Sequence, residues 1–194
     1  MRRLVVATHN SHKTDEIRRM LEGQFEEVID LNQFPEISPA IEDGDTFEAN
    51  SKIKALHAAA VLTDSSVLAD DSGLEVDSLN GEPGVYSARY AGESASDAEN
   101  RAKLLSSMKD LESRSARFRC VLALARGKEI LHLASGAVEG VIAREERGEN
   151  GFGYDSLFIP EGHDETFGEL PNETKQTMSH RSRALAKMLQ HLQP

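Results

Sequence analysis

The chain has 194 residues, of which 39% are hydrophobic and 28% charged, the balance of a soluble globular domain, or of one domain with a small lobe, and not of a disordered chain. Its 22 Lys and Arg against 33 Asp and Glu leave a formal net charge of −11, which argues against wrapping a nucleic-acid backbone or an anionic membrane. A single cysteine, Cys120, excludes an internal disulfide and four-cysteine zinc sites. No apolar run approaches bilayer length. Met1-Arg2-Arg3 leads into a short strand and not a signal peptide, so a cytoplasmic location is expected.

Arg3 to Ala7 reads as a buried strand, followed by the polar run Thr8-His9-Asn10-Ser11-His12-Lys13. Thr14 to Leu21 carries Ile17, Met20 and Leu21 at helical spacing and stops at Gly23. Glu27 to Leu31 suggests a second strand, and Asn32 to Gly44, with Pro35 and Pro39, a loop with an acidic end. Thr46 to Leu62 is a predicted helix, capped by Asp45 or Thr46, with Ala49, Ile53, Leu56 and Ala60 as its apolar stripe. Asn50 and Lys54, four apart, share its flank. Ser66 to Ala69 reads as a short strand ending at Asp70-Asp71-Ser72-Gly73, with Leu74 to Val76 extended beyond it. Gly81, Pro83, Gly84 and Gly92 mark a long loop, and Ser96 with Glu99 forms a capping box for a helix to about Met108.

Phe118, Cys120, Leu122 and Leu124 alternate with Arg117, Arg119, Val121 and Ala123, the pattern of a half-exposed strand. The turn Arg126-Gly127-Lys128 leads into Glu129 to Ala134, and Ala137 to Ala143 extends the sheet. Gly148 to Gly153 is a glycine-rich loop and Leu157 to Ile159 a buried strand. From Ser179 a helix carries Leu185, Met188, Leu189 and Leu192 at helical spacing. There is no internal repeat. Strands and helices without strict alternation predict an α/β fold with a mixed sheet.

Four segments carry residues suited to chemistry. Thr8 to Lys13 combines small polar donors, a cation and a helix start, as phosphate binding requires, without the spacing of a Walker loop. A solvated loop with a helix cap needs the same residues. Asp70-Asp71-Ser72 places two carboxylates on opposite faces of a strand, so that one can bind Mg²⁺; Glu42, Asp43 and Asp45 can add oxygens. Turn and cap roles would account for the same aspartates. Phe152, between glycines in Gly148 to Asp155, can stack on a flat ligand or anchor a β-turn. Ser179-His180-Arg181, after Lys175, puts cations at a helix start where acids are favoured, which points to an anion or carbonyl ligand. Zinc lacks an H-E-x-x-H motif or a third spaced ligand, a serine nucleophile lacks its G-x-S-x-G elbow, and Cys120 reads as a small packed residue.

Taken together, six ordered motifs resemble the inosine triphosphate pyrophosphatase family, the non-canonical purine nucleoside triphosphate pyrophosphatases, and are close to its bacterial members. They are Thr8-His9-Asn10…Lys13, Thr46-Phe47-Glu48-Ala49-Asn50…Lys54-Ala55, Ala69-Asp70-Asp71-Ser72-Gly73-Leu74, Pro83 to Gly92, Gly151-Phe152-Gly153-Tyr154-Asp155 and Ser179-His180-Arg181, and the match runs from about Leu4 to Leu192. The resemblance implies an elongated α/β structure with a long mixed central sheet, two lobes with a substrate cleft between them, and a homodimer. It implies Mg²⁺-dependent hydrolysis of ITP, dITP and XTP to the monophosphate and pyrophosphate, cleansing the nucleotide pool. Carried over by position, Thr8, His9, Asn10, Ser11, His12, Lys13 and Lys54 would hold the triphosphate. Asp71 would bind metal and act as general base, and Ser72 would touch substrate. Phe152, Gly153, Tyr154, Asp155, Lys175, His180 and Arg181 would hold the nucleoside, with His180 and Arg181 reading the purine 6-oxygen.

Family members often have two adjacent glutamates before the glycine of the acidic loop, where this chain has Ile41-Glu42-Asp43-Gly44. Glu42 is the expected second metal ligand, with Asp43 and Asp70 as alternatives. A nucleotide phosphatase releasing orthophosphate and a non-catalytic nucleotide sensor are the rival functions. For the dimer, the loop from Asn80 to Gly92 offers Val85, Tyr86 and Tyr90 as apolar surface.

Overall fold

The computed structural model describes residues 3–191; the expectations for Met1, Arg2 and Leu192 fall outside them. The elements run β1 (Arg3–Val6), α1 (Ser11–Met20), β2 (Glu27–Asp30), α2 (Phe47–Val61), β3 (Ser66–Val76), α3 (Asp97–Ser107), β4 (Ser115–Arg126), β5 (Glu129–Ile142), β6 (Phe158–Pro160), α4 (Asn172–Met178) and α5 (His180–Leu189). The strands form one sheet in the order β2-β1-β3-β4-β5-β6. β1 pairs in parallel with β2 and β3, and β5 pairs antiparallel with β6. The α/β class and the mixed sheet expected from the sequence are therefore present.

The chain divides into two compact units. The first comprises residues 1–71, 120–136 and 181–194, and the second residues 72–119 and 137–180. In the first unit two apolar clusters are buried. Leu4, Val6, Ile17, Leu68, Leu122 and Leu185 belong to one, and Val5, Ile29, Ala55, Ala58, Ala59 and Val67 to the other. The second unit has its own core, in which Phe167 stacks on Phe118 and Phe158, themselves tilted against each other, among Leu74, Leu104, Met108 and Leu157. Among the described residues no helix is long and apolar enough to cross a membrane.

Several local expectations are corrected. The buried face of α2 is not Ala49, Ile53, Leu56 and Ala60 but Phe47, Asn50, Ser51, Ala55, Ala58 and Ala59. Small side chains let the helix approach the sheet, and the larger Ile53 and Leu56 stay at the margin of that contact. β4 alternates buried and partly exposed residues from Ser115 to Cys120, as expected, but Val121 and Ala123 are buried too, so Cys120 to Ala125 run as in a central strand covered on both faces. β5 is a single strand where two were read, and β3 does not stop before Asp70 but runs through Asp70 and Asp71 to Val76. The Asn80–Gly92 loop holds a 3-10 helix at Gly84–Arg89, and Tyr90 is buried in the second unit's core, leaving Tyr86 at 56% exposure. The capping box of α3 forms as read.

Candidate active site

The strand-to-helix junction after β1 is a capped helix start, not a free loop. Asn10 Oδ1 accepts the backbone N–H of His12 at 3.0 Å and of Lys13 at 3.3 Å, and the Asn10 N–H donates to Thr8 Oγ1 at 3.1 Å. Ser11 to Lys13 thereby become the first turn of α1, which aims Lys13 back at β3. Lys13 Nζ donates to Asp70 Oδ1 at 2.5 Å.

Asp70 and Asp71 occupy opposite faces of β3, as alternation along a strand requires. Asp70 is 1% exposed. Besides Lys13, its Oδ2 accepts Arg181 Nε at 2.9 Å and the Cys120 thiol at 3.1 Å. Arg181, equally buried, also donates Nη1 to Glu16. Burial alone would raise the Asp70 carboxyl, but Arg181 and Lys13 outweigh it and hold the group well below the usual carboxylate range. Burial would likewise lower Arg181, yet Asp70 and Glu16 hold its pKa above the ordinary value. Cys120 is pushed well up, by burial first and the Asp70 carboxylate second, so the thiol keeps its proton and donates it.

On the other face, Asp71 Oδ1 accepts Lys54 Nζ at 2.6 Å, and the same ammonium reaches Glu42 Oε2 at 3.1 Å. Asp71 Oδ2 is buried and makes no hydrogen bond among the described residues. Burial pushes Asp71 up to about 6 against the opposing pull of Lys54. Lys54 itself is lowered by burial but raised further by Asp71 and Glu42, so it remains charged. Glu42 of the acidic loop thus reaches the same cation as Asp71, across 17 positions of sequence from Lys54 to Asp71 and 12 from Glu42 to Lys54.

This donor set fits a hard divalent cation. Two carboxylates already share one positive charge, one buried carboxylate oxygen is unspent, and Mg²⁺ needs only one or two carboxylates with water and phosphate oxygens completing its shell. Among the described residues no group of three or more His, Cys, Asp and Glu could hold a metal.

The second unit brings together Phe152, Asp155 and Lys175. Asp155 Oδ2 accepts the Phe152 N–H at 2.8 Å and Lys175 Nζ at 2.7 Å, and that ammonium stands 4.9 Å from the centre of the Phe152 ring. Gly151 makes the turn possible: its φ is +78°, and a Cβ there would sit 2.0 Å from Asp155 Oδ2. Gly153 is tied through its N–H to Asp97 and through its carbonyl to Arg101. Tyr154 points into the core, donating its hydroxyl to the Ser87 carbonyl at 2.8 Å, and burial raises its pKa. His180 stacks on Phe118 at 4.9 Å, near-parallel at 15°.

Sequence reasoning missed Glu16 and the role of Cys120. Glu16 lies three positions beyond Lys13 on α1, a helical spacing that places the two near each other, whereas nothing local marks Cys120.

Lys13 in the first turn of α1, Lys54 midway along α2, and Asp70 and Asp71 midway along β3 bring cations and carboxylates together in an α/β fold, a donor set with the chemistry that phosphate oxygens and a divalent cation require. The chain belongs to the Ham1 family, whose model matches residues 4–191. It is 48% identical over 192 residues to a dITP/XTP pyrophosphatase of Desulforamulus reducens, covering 98% of this chain and 95% of that protein. It is 45% identical over 190 residues to a dITP/XTP pyrophosphatase of Bacillus subtilis, covering 97% and 96%. The structure of a HAM1 protein from Coxiella burnetii superposes with a TM-score of 0.88 at 42% identity, covering 99% of this chain and 98% of that one. The Staphylococcus aureus Ham1 protein superposes at 0.85 with 39% identity, covering 98% and 97%.

Proposed function

We propose that this chain hydrolyses non-canonical purine nucleoside triphosphates, dITP, ITP and XTP, to the nucleoside monophosphate and pyrophosphate, with Mg²⁺. The observation that carries the reading is the buried, unspent oxygen of Asp71 beside Lys54 and Glu42, in a chain whose relatives are named for this activity. Asp71 takes a proton from the attacking water, whose oxygen bonds to the α-phosphorus as the bond to the bridging oxygen breaks. The electron pair leaves with pyrophosphate. Lys13 and Lys54 face the charge that gathers there. Glu42 and Asp71 would hold Mg²⁺, which when bound would supply charge neutralisation on the phosphate oxygens. In the chain without metal, burial raises the Asp71 carboxyl and so makes it a stronger base than an exposed aspartate.

Thr8, His9, Asn10, Ser11 and His12 are assigned to the triphosphate with Lys13. Ser72, Phe152, Gly153, Tyr154, Asp155, Lys175, His180 and Arg181 are assigned to the nucleoside, Tyr154 by anchoring the turn that carries Phe152. The protein is assigned to the cytoplasm, where its substrates arise, and to a homodimer. The test is a panel of dITP, XTP, dGTP and dATP with Mg²⁺. Pyrophosphate from dITP and XTP is the expected product. Orthophosphate, or binding without turnover, overturns the reading.

A further inference from the structure

Gly44 and Asn50 are joined by a bond that fixes how the acidic loop meets α2. The Asn50 side chain is fully buried, and its Oδ1 accepts the Gly44 N–H at 2.8 Å. The approach is close: a Cβ at Gly44 would stand 2.7 Å from both Ala49 Cβ and Asn50 Oδ1, so no side chain fits there without moving loop or helix. Glu42 lies two residues before Gly44, and Lys54, which Glu42 reaches, lies one helical turn beyond Asn50. Asn50 and Lys54 therefore grip the loop from one face of α2.

The other end of the amide argues in the same direction. Asn50 Nδ2 is buried and makes no hydrogen bond among the described residues. A buried donor left unmet is unfavourable, and a leucine of similar size would avoid it. What asparagine contributes in exchange is the Oδ1 bond to the loop.

We propose that Asn50 is a positioning residue for cation binding: it clamps Gly44 so that the Glu42 carboxylate stays beside Lys54 and Asp71. This rests on the reading of Glu42 and Asp71 as the cation's ligands. Removing a group that orients a metal ligand typically weakens metal binding by roughly 10–100-fold.

The test uses the full chain without nucleotide and Mn²⁺ as the probe, with the free ion counted by its electron paramagnetic resonance signal. Asn50→Leu and Gly44→Ala are each expected to weaken Mn²⁺ binding about tenfold or more. Ala59→Gly, which loosens the same helix beyond Asn50 and Lys54, is expected to lower Tm and leave Mn²⁺ affinity within about threefold of the parent. If folded Asn50→Leu or Gly44→Ala protein binds Mn²⁺ as the parent does while Glu42→Gln does not, the positioning role is wrong and the ligand reading stands. If Glu42→Gln binds as the parent does, the ligand reading falls and this proposal with it. Should neither clamp variant fold, hydrogen exchange of the unaltered protein decides. Because coupling is reciprocal, Mg²⁺ must slow exchange at the Gly44 amide, and an unchanged rate rejects the clamp.

Discussion

Asp70 and Asp71 are consecutive residues of one strand, both buried, and their carboxyl groups are shifted in opposite directions. Asp70 meets two cations, Lys13 and Arg181, and is held well below the usual range. Asp71 meets Lys54, which it shares with Glu42, and burial pushes it up to about 6. The strand's alternation separates the two environments by one residue, so one carboxylate is held as an anion while burial raises its neighbour toward the protonated form.

Asp71→Asn removes the proposed base and cation ligand without changing side-chain size. The expected loss in kcat is roughly 10²–10⁴-fold, with the circular dichroism spectrum unchanged. Near-normal turnover of dITP at saturating Mg²⁺ would move the base to another residue.

Lys54 opposes the effect of burial on Asp71. In metal-free protein, Lys54→Met should therefore leave the Asp71 carboxyl titrating higher still, as followed by ¹³C NMR of its carboxyl carbon. A lower value would show that Lys54 is not the charge that Asp71 senses.

Asp70→Asn leaves the buried Arg181 guanidinium with Glu16 but without its second carboxylate. Breaking a buried ion pair from one side costs about 3–5 kcal/mol, to be read from urea unfolding at neutral pH. The sign follows from the depressed pKa. Asp70's contribution is present above the ordinary carboxylate range and is lost as pH falls through the folded value. The gap between parent and variant should accordingly shrink on acidification, and a gap that widens would refute the assignment.

Arg181→Lys keeps a positive charge beside Asp70 and Glu16 but removes the planar fork. If Arg181 reads the purine 6-oxygen, the variant's kcat/KM should fall more for dITP than for dATP, narrowing their ratio by about tenfold or more. An equal fall on both substrates assigns Arg181 to the charge network around Asp70 alone.

Tyr86, at 56% exposure in the second unit, is the aromatic surface the proposed dimer would cover. Tyr86→Glu should shift sedimentation from dimer toward monomer at micromolar concentration. A parent protein that sediments only as monomer would remove the dimer itself.

Local signals in the sequence were reliable where the physics is local. The Ser96 and Glu99 box, the Thr46 cap and the turn glycine at 151 depend on contacts within a few residues, and each forms. The Thr8–Lys13 run shows in sequence that a helix start is near, but its polarity places the helix from Thr14, whereas Asn10 caps a turn beginning at Ser11. The expected α2 stripe of Ala49, Ile53, Leu56 and Ala60 counts only apolar residues and so lies off the buried face, which includes the polar Asn50 and Ser51 beside Ala55, Ala58 and Ala59. Partners of Asp70 were least legible: Arg181 lies 111 positions away, Cys120 50, and Glu16 165 from Arg181. Charge composition says that such groups must find partners and is silent on which.

Cys120 is the chain's only thiol and has no exposed surface. A thiol reagent can meet it only when the strand and its charged neighbours come apart, so the rate of labelling counts those openings. The protein thus carries a built-in clock for breathing at Asp70, readable without dye or isotope. Any nucleotide or metal that steadies this part of the molecule would slow that clock in proportion to its occupancy.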